Sequence, residues 1–161
     1  MVGAGSWGTT IAALASHNAH TMLWSRRSEL AEEINSLHTN SAYLGAMVLP
    51  DALHASSDLQ TALMQADVVA MAVPSQGFHD VAGEVSKYVR SGVPVISLSK
   101  GLEQGTFLRM SEVIEQVMPN NPVAVLSGPN LAKEILAGQP AASVIACTDE
   151  SVARGLLEIF S

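Results

Sequence analysis

Near its start the chain reads Gly3-Ala4-Gly5-Ser6-Trp7-Gly8, a G-x-G-x-x-G turn. Glycines at this spacing suit a pyrophosphate. The first permits a tight turn, the second lets the backbone approach the phosphates, and the third lets the next helix pack closely on its strand. A helix N-terminus at that point adds unpaired N–H groups and a partial positive charge. The same pattern also occurs as a glycine-rich turn with no ligand, so its weight depends on its surroundings. The Ala-rich helical stretch from Thr9 to Ala15 favours the binding reading. Trp7 is open to two readings, simple packing or an indole facing a ligand.

Three further places carry chemistry. The second strand ends Leu23-Trp24-Ser25-Arg26-Arg27, with no acid before Glu29. An NAD site usually places Asp or Glu there to hold the ribose 2′-OH. Arg26 and Arg27 instead suit a 2′-phosphate, because guanidinium binds phosphate through paired N–H groups. NADP is therefore expected over NAD, against the plainer reading of two solvated arginines. Lys100 follows the strand Val93–Leu98, on the rim where open α/β sheets bind ligands. A cation there can hold a phosphorylated ketone or polarise its carbonyl, although a lone lysine is more often merely solvated. Gly128-Pro129-Asn130 follows the strand Val123–Leu126 on the same rim, where Asn130 is either a helix cap or a ligand contact. Val73-Pro74-Ser75 is a fourth rim segment, and Pro74 there also ends its strand by lacking a donor.

These residues need a frame, and the apolar pattern supplies one. Helices are predicted over Trp7–His17, Glu29–Leu37, Phe78–Val89, Leu108–Val117, Leu131–Ala137 and Ser151–Phe160. Ser57 and Gln60 read as a capping-box pair opening a helix that runs to about Ala66. Between the helices lie strands at Thr21–Trp24, Val68–Val73, Val93–Leu98, Val123–Leu126 and Ala142–Cys147. Val68–Val73 is apolar throughout, as expected of a strand covered on both faces. Such alternation specifies an α/β fold, a Rossmann-like doubly wound and mostly parallel sheet, occupying residues 1–161 as one domain. Only Met1 and Val2 precede the glycine turn, where a longer central strand is expected, and the last helix ought to feed another strand. Truncation at both ends is the expectation.

Bulk properties exclude several classes. Hydrophobic residues are 48% and charged residues 14%, a profile far from disorder. A net charge of −7 argues against a nucleic-acid surface, which needs a basic face. No apolar run reaches the roughly 18 residues of a spanning helix, and Met1 opens no signal-peptide pattern. Cys147 is the single cysteine, which removes internal disulfides and Cys-based zinc sites. It is read as an inert small hydrophobe in a buried strand, and a reducing cytoplasm is expected. His17, His20, His38, His54 and His79 show no metal spacing, so no metal site is expected. For His38 a structural hydrogen bond is expected.

Several segments match one family in order and spacing. They are Gly3 to Thr9, Leu23-Trp24-Ser25-Arg26-Arg27, Ile34-Asn35 with His38, Asn40, Tyr43 and Leu44, and Ala72-Val73-Pro74-Ser75-Gln76. The most specific are Ser97-Leu98-Ser99-Lys100-Gly101-Leu102-Glu103 and Ser127-Gly128-Pro129-Asn130-Leu131-Ala132-Lys133-Glu134. Together the chain resembles the cofactor domain of the NAD(P)-dependent glycerol-3-phosphate dehydrogenases of bacterial type. One departure is Gly45-Ala46-Met47, where the family usually has Pro-Gly after the Tyr-Leu pair.

The resemblance implies reversible reduction of dihydroxyacetone phosphate to sn-glycerol 3-phosphate, feeding phospholipid synthesis. It places Gly3, Gly5, Ser6, Trp7, Gly8, Arg26, Arg27, Pro74, Lys100 and Ala132 at the cofactor, NADP or NAD. It places Lys100, Gly128 and Asn130 at the substrate. It also implies a proton-donating lysine from a second, helical domain through which family members pair as homodimers. Lys87 and Lys133 do not match that donor, so this chain alone is expected not to turn over. Two rivals remain: a dinucleotide-sensing regulatory module, and a related 3-hydroxyacid or ketopantoate-type dehydrogenase.

Overall fold

The computed structural model describes residues 1–161. Its elements run α1 (Ser6–Ala15), β1 (Thr21–Trp24), α2 (Ser28–Leu37), α3 (Ser41–Leu44), β2 (Leu53–Ser56), α4 (Leu59–Leu63) and β3 (Val69–Met71). They continue α5 (Phe78–Ser86), β4 (Val95–Ser97), α6 (Met110–Val117), β5 (Val123–Ser127), α7 (Ala132–Leu136), β6 (Val144–Cys147) and α8 (Glu150–Phe160). β1 pairs with β2, and β3, β4 and β5 pair in series, all parallel, while β6 runs antiparallel on the edge.

The two halves of the sheet meet at Met1 and Val2. Val2 forms parallel bridges to both Trp24 and Met71. Its N–H donates to Ala70 at 2.7 Å and its carbonyl accepts from Ala72 at 2.8 Å. On the other side Trp24 N–H donates to Met1 O at 2.8 Å and Gly3 N–H to Trp24 O at 3.1 Å. Counting this rung, the strand order is β2-β1-Val2-β3-β4-β5-β6, that of the doubly wound dinucleotide-binding fold with its switch point beside Val2. The central position expected to be depleted is thus bridged by two residues.

Alternation along the strands sends apolar side chains to both faces. Val69, Met71 and Val95 pack with Leu63 of α4, Phe78 and Val85 of α5 and Ile114 of α6. Ala70, Ile96, Ala124 and Leu126 face the other way, against Ile11 of α1 and Leu156 of α8. β3 and β4 are buried at every residue, as strands covered on both sides must be. A third cluster joins Ala12 and Ala13 of α1 to Leu30, Ala31 and Ile34 of α2 over Leu23 and Leu53.

Several expectations need correction. α4 is capped by Asp58, whose carboxylate accepts from Gln60 N at 3.3 Å and Thr61 N at 3.1 Å, and not by Ser57. A charged acceptor immediately before the helix outcompetes a hydroxyl one residue further out. That helix stops at Leu63. β6 is an edge strand whose residues alternate between exposed and half-buried, so Cys147 is half-buried and not in a covered strand. His38 makes no ring hydrogen bond: its Nδ1 is buried without a partner, and Nε2 lies 3.7 Å from Asp51. Its role is backbone, closing α2 in the left-handed region at φ 50° while its carbonyl accepts from Leu49 N at 2.7 Å. α3 and β2 were not anticipated.

Phe78→Ala leaves a void between α5 and the sheet and should cost about 3–5 kcal/mol in denaturant unfolding. Asp149 accepts from Ser151 and Val152 at the start of α8, and bonding to Ser151 holds its carboxyl below the usual range. A depressed folded-state pKa gives stability that is present above the ordinary carboxyl range and lost as pH falls through the folded value. Asp149→Ala should therefore lower the melting temperature at neutral pH, and the gap should close on acidification.

Candidate functional site

The carboxyl ends of the Val2 rung, β1, β3 and β4 converge on a cleft of about 720 Å³. Gly3 turns the chain into it at φ 106°, a conformation that side chains rarely adopt. A Cβ on Gly3 would also lie 2.5 Å from the carbonyl oxygen of Ala72. On Gly8 it would lie 1.9 Å from Gly3 O, so this glycine is what lets α1 settle onto the turn. On Gly5 it would meet nothing within 4 Å and would project into open space. Gly3 and Gly8 are therefore demanded by the protein itself, whereas at Gly5 no group of the chain excludes a side chain.

α1 is capped by Gly5, which offers no side-chain acceptor, and has no acidic residue in its first turn. Its leading N–H groups stay free to bind an anion. Ser6 and Trp7 line the cleft beside them. Trp7 packs on the core around Ile11 and Ala70 and also borders the cleft. Its indole Nε1 is buried without an acceptor.

The opposite lip is formed by the β1–α2 turn. Buried Ser25 staples that turn, its Oγ accepting from Arg27 N at 3.2 Å and donating to Arg27 O at 3.0 Å. Arg26 and Arg27 both border the cleft and neither makes an ion pair with a carboxylate. Arg27 instead lies over the Tyr43 ring at 5.6 Å. Pro74 and Lys100 complete the rim. No Asp or Glu lines the cleft, in a chain whose net charge is −7.

Gly128, Asn130 and Ala132 lie outside the cleft lining. Of the three, only Gly128 bonds a residue that lines the cleft. Lys100 Nζ donates to Gly128 O at 2.9 Å, and Thr10 Oγ1 to Ala132 O at 3.4 Å. Asn130 does not cap α7, whose N-cap is Leu131; its amide donates to Ser143 Oγ at 2.6 Å. Beyond Lys100 the loop is tied down by Glu103, which accepts from the Thr106 hydroxyl and pairs with His79 at 2.9 Å. Those two bonds hold its carboxyl below the usual range. No cluster of His, Cys, Asp and Glu could hold a metal.

The residues present fit a dinucleotide: open helix N–H groups for the pyrophosphate, free guanidinium groups at one end, and an ammonium group at the other. Fold and cleft together define a dinucleotide-binding domain of the Rossmann class. Residues 1–153 match the family described as NAD-dependent glycerol-3-phosphate dehydrogenase N-terminus, and the chain belongs to that family. It is 52% identical over 160 residues to glycerol-3-phosphate dehydrogenase (NAD(P)+) 2 of Sphingopyxis alaskensis, covering 99% of this chain and 48% of that one. It is 48% identical over 161 residues to glycerol-3-phosphate dehydrogenase (NAD(P)+) 1 of Mycobacterium tuberculosis, covering 99% and 47%. The crystal structure of glycerol-3-phosphate dehydrogenase from Coxiella burnetii superposes with a TM-score of 0.91 at 31% identity, over 99% of this chain and 49% of that one. The chain spans about half the length of the curated relatives it matches.

Sequence reasoning gave Tyr43 no role, although its ring supports Arg27 at the lip. The available signal was an Asn-Ser-Ala-Tyr run, in which Asn is a favoured helix opener.

The glycine geometry separates folding from binding. Gly8→Ala should cost about 1–3 kcal/mol or more in chemical denaturation, through collision with Gly3. Gly5→Ala should melt close to the parent yet lose dinucleotide binding in a fluorescence titration. Undiminished binding would remove the pyrophosphate from this turn.

Proposed function

We propose that this chain is the cofactor-binding half of a cytoplasmic enzyme that reversibly reduces dihydroxyacetone phosphate to sn-glycerol 3-phosphate. A second, helical domain completes the substrate site and pairs two copies. The observation that carries this reading is the bond from Lys100 Nζ to Gly128 O, 2.9 Å long. It links the cleft rim to the Gly128-Pro129-Asn130 segment, a contact that cofactor binding alone does not require. No helix is long and apolar enough to cross a membrane, which suits this placement.

When bound, the reduced nicotinamide supplies the hydride for the ketone carbon. Everything else falls to side chains and backbone. The glycine turn and the start of α1 hold the pyrophosphate, with Ser6 and Trp7 alongside and Ala132 nearby. Arg26 and Arg27 take the 2′-phosphate, which favours NADP over NAD. Pro74 borders the cofactor's path across the rim. The Lys100 ammonium, released from Gly128 O, neutralises charge on the phosphate or on the ketone oxygen as it becomes an alkoxide. Gly128 and Asn130 position the substrate. The family resemblance assigns the proton for the alkoxide to a lysine of the second domain, and neither Lys87 nor Lys133 lines the cleft.

Titration with NADPH and NADH tests the cofactor assignment. NADPH should bind more tightly, and Arg26→Ala and Arg27→Ala should each weaken it about tenfold or more while moving NADH little, as loss of a charge-assisted phosphate bond requires. Equal binding of both cofactors would remove the 2′-phosphate assignment. Dihydroxyacetone phosphate should tighten NADPH binding to the intact protein. No effect of the ketone would instead favour a dinucleotide sensor without chemistry.

A further inference from the structure

Asn40 is fully buried, and its amide contacts the glycine turn. Nδ2 donates to Ala4 O at 3.1 Å and to Thr9 Oγ1 at 2.8 Å, while Oδ1 is buried with no partner. The amide orientation is set by Ala4, because a carbonyl accepts only from a donor and a flipped amide would press two oxygens together. A buried acceptor left unpaired is a standing cost. The position keeps a polar side chain whose useful end is the donor.

What that donor grips is the peptide between Ala4 and Gly5. No peptide bond in the chain is cis. In a trans peptide the C=O and the following N–H point in opposite directions. Holding Ala4 O from beneath therefore fixes the direction of Gly5 N–H on the far side. Gly5 N–H has no acceptor within the chain, and Gly5 borders the cleft.

Asn40 is itself anchored on both sides. Glu33 Oε1 on α2 accepts from Thr39 Oγ1 at 2.9 Å and from Ser41 N at 2.6 Å, and the Ser41 bond holds its carboxyl below the usual range. Asn40 O accepts from Leu44 N at 2.8 Å, which opens α3, the helix carrying Tyr43 beneath Arg27.

We propose that Asn40 is a positioning residue: its amide aims the Gly5 N–H at the cofactor pyrophosphate. The assignment rests on the cofactor reading above. The side chain touches no cofactor atom and acts through Ala4.

The test compares NADPH with adenosine 2′-monophosphate, which fills the arginine lip but carries no pyrophosphate. In Asn40→Leu, NADPH binding should weaken about tenfold, the size of one hydrogen bond to a charged group, with adenosine 2′-monophosphate within about twofold of the parent. Equal weakening of both ligands would mean a merely structural role and overturn the proposal. No weakening of NADPH would overturn it too. If Asn40→Leu does not fold, the Gly5 amide resonance of the unsubstituted protein decides. It should move downfield on addition of NADPH and stay in place with adenosine 2′-monophosphate, and an unmoved resonance would overturn the proposal. Failure of the unsubstituted protein to bind NADPH would sink the cofactor reading and this one together, whereas binding with an unmoved Gly5 would sink this one alone.

Discussion

Everything in the cleft depends on the backbone ladder at the centre of the sheet, where Met1, Val2 and Gly3 bond to their neighbours. Met1 and Gly3 hydrogen-bond to β1 on one side and Val2 to the β3 segment on the other, and this ladder joins the two parts of the sheet. The bonds to Trp24, Ala70 and Ala72 set the direction in which the chain leaves the sheet at Gly3. A change in that exit angle would carry the glycine turn and α1 with it. Val2 is fully buried, so water offers its N–H and C=O groups no alternative partners. Its geometry is enforced by the cost of leaving them unpaired.

Charge placement is the second organising feature. The chain carries more acid than base, yet its cleft is bordered by Arg26, Arg27 and Lys100 and by no carboxylate. The acids have other work. Asp58 and Asp149 cap helices, Glu112 bonds Arg109, and Glu33 and Glu103 tie down loops. Each of these carboxyls is held below its usual range mainly by hydrogen bonds. A local field is set by what faces the cavity, not by the sum over the surface. An acidic protein can thus offer a dinucleotide a cationic seat.

Much of this was legible in the residues. β3 and β4 are apolar at nearly every position because helices cover both faces, and that pattern needs no partner to be read. Arg26, Arg27, Lys100 and Pro74 each follow a strand directly, so the rule that ligands sit at strand ends places them on one rim before any contact is known. What escaped is either too short for a period or depends on distant chain. α3 and β2 are four residues each, and four residues fit helix, strand and turn alike. Asn130 follows a strand and precedes a helix, which leaves cap and ligand contact both open, and its partner Ser143 lies just before β6. Asn40 shows its value only through Ala4, on the far side of α1 and α2. Asp58 was missed for a local reason, since an adjacent serine fitted the sequence motif better than it fitted the geometry.

The reversal at β6 gives the rim a shape that parallel strands cannot. A parallel strand touches the ligand edge once, and its crossover must travel back to the opposite edge before the next strand begins. β5 ends at that edge at Ser127, and the antiparallel β6 starts there at Val144, directly opposite in register. The whole stretch from Gly128 to Ser143 can therefore stay on the ligand side. β5 and β6 act as the two jaws of a bracket, and Asn130 bonded to Ser143 is the clasp across its mouth. A segment that in a parallel sheet would be spent on transit stays at the carboxyl end of β5.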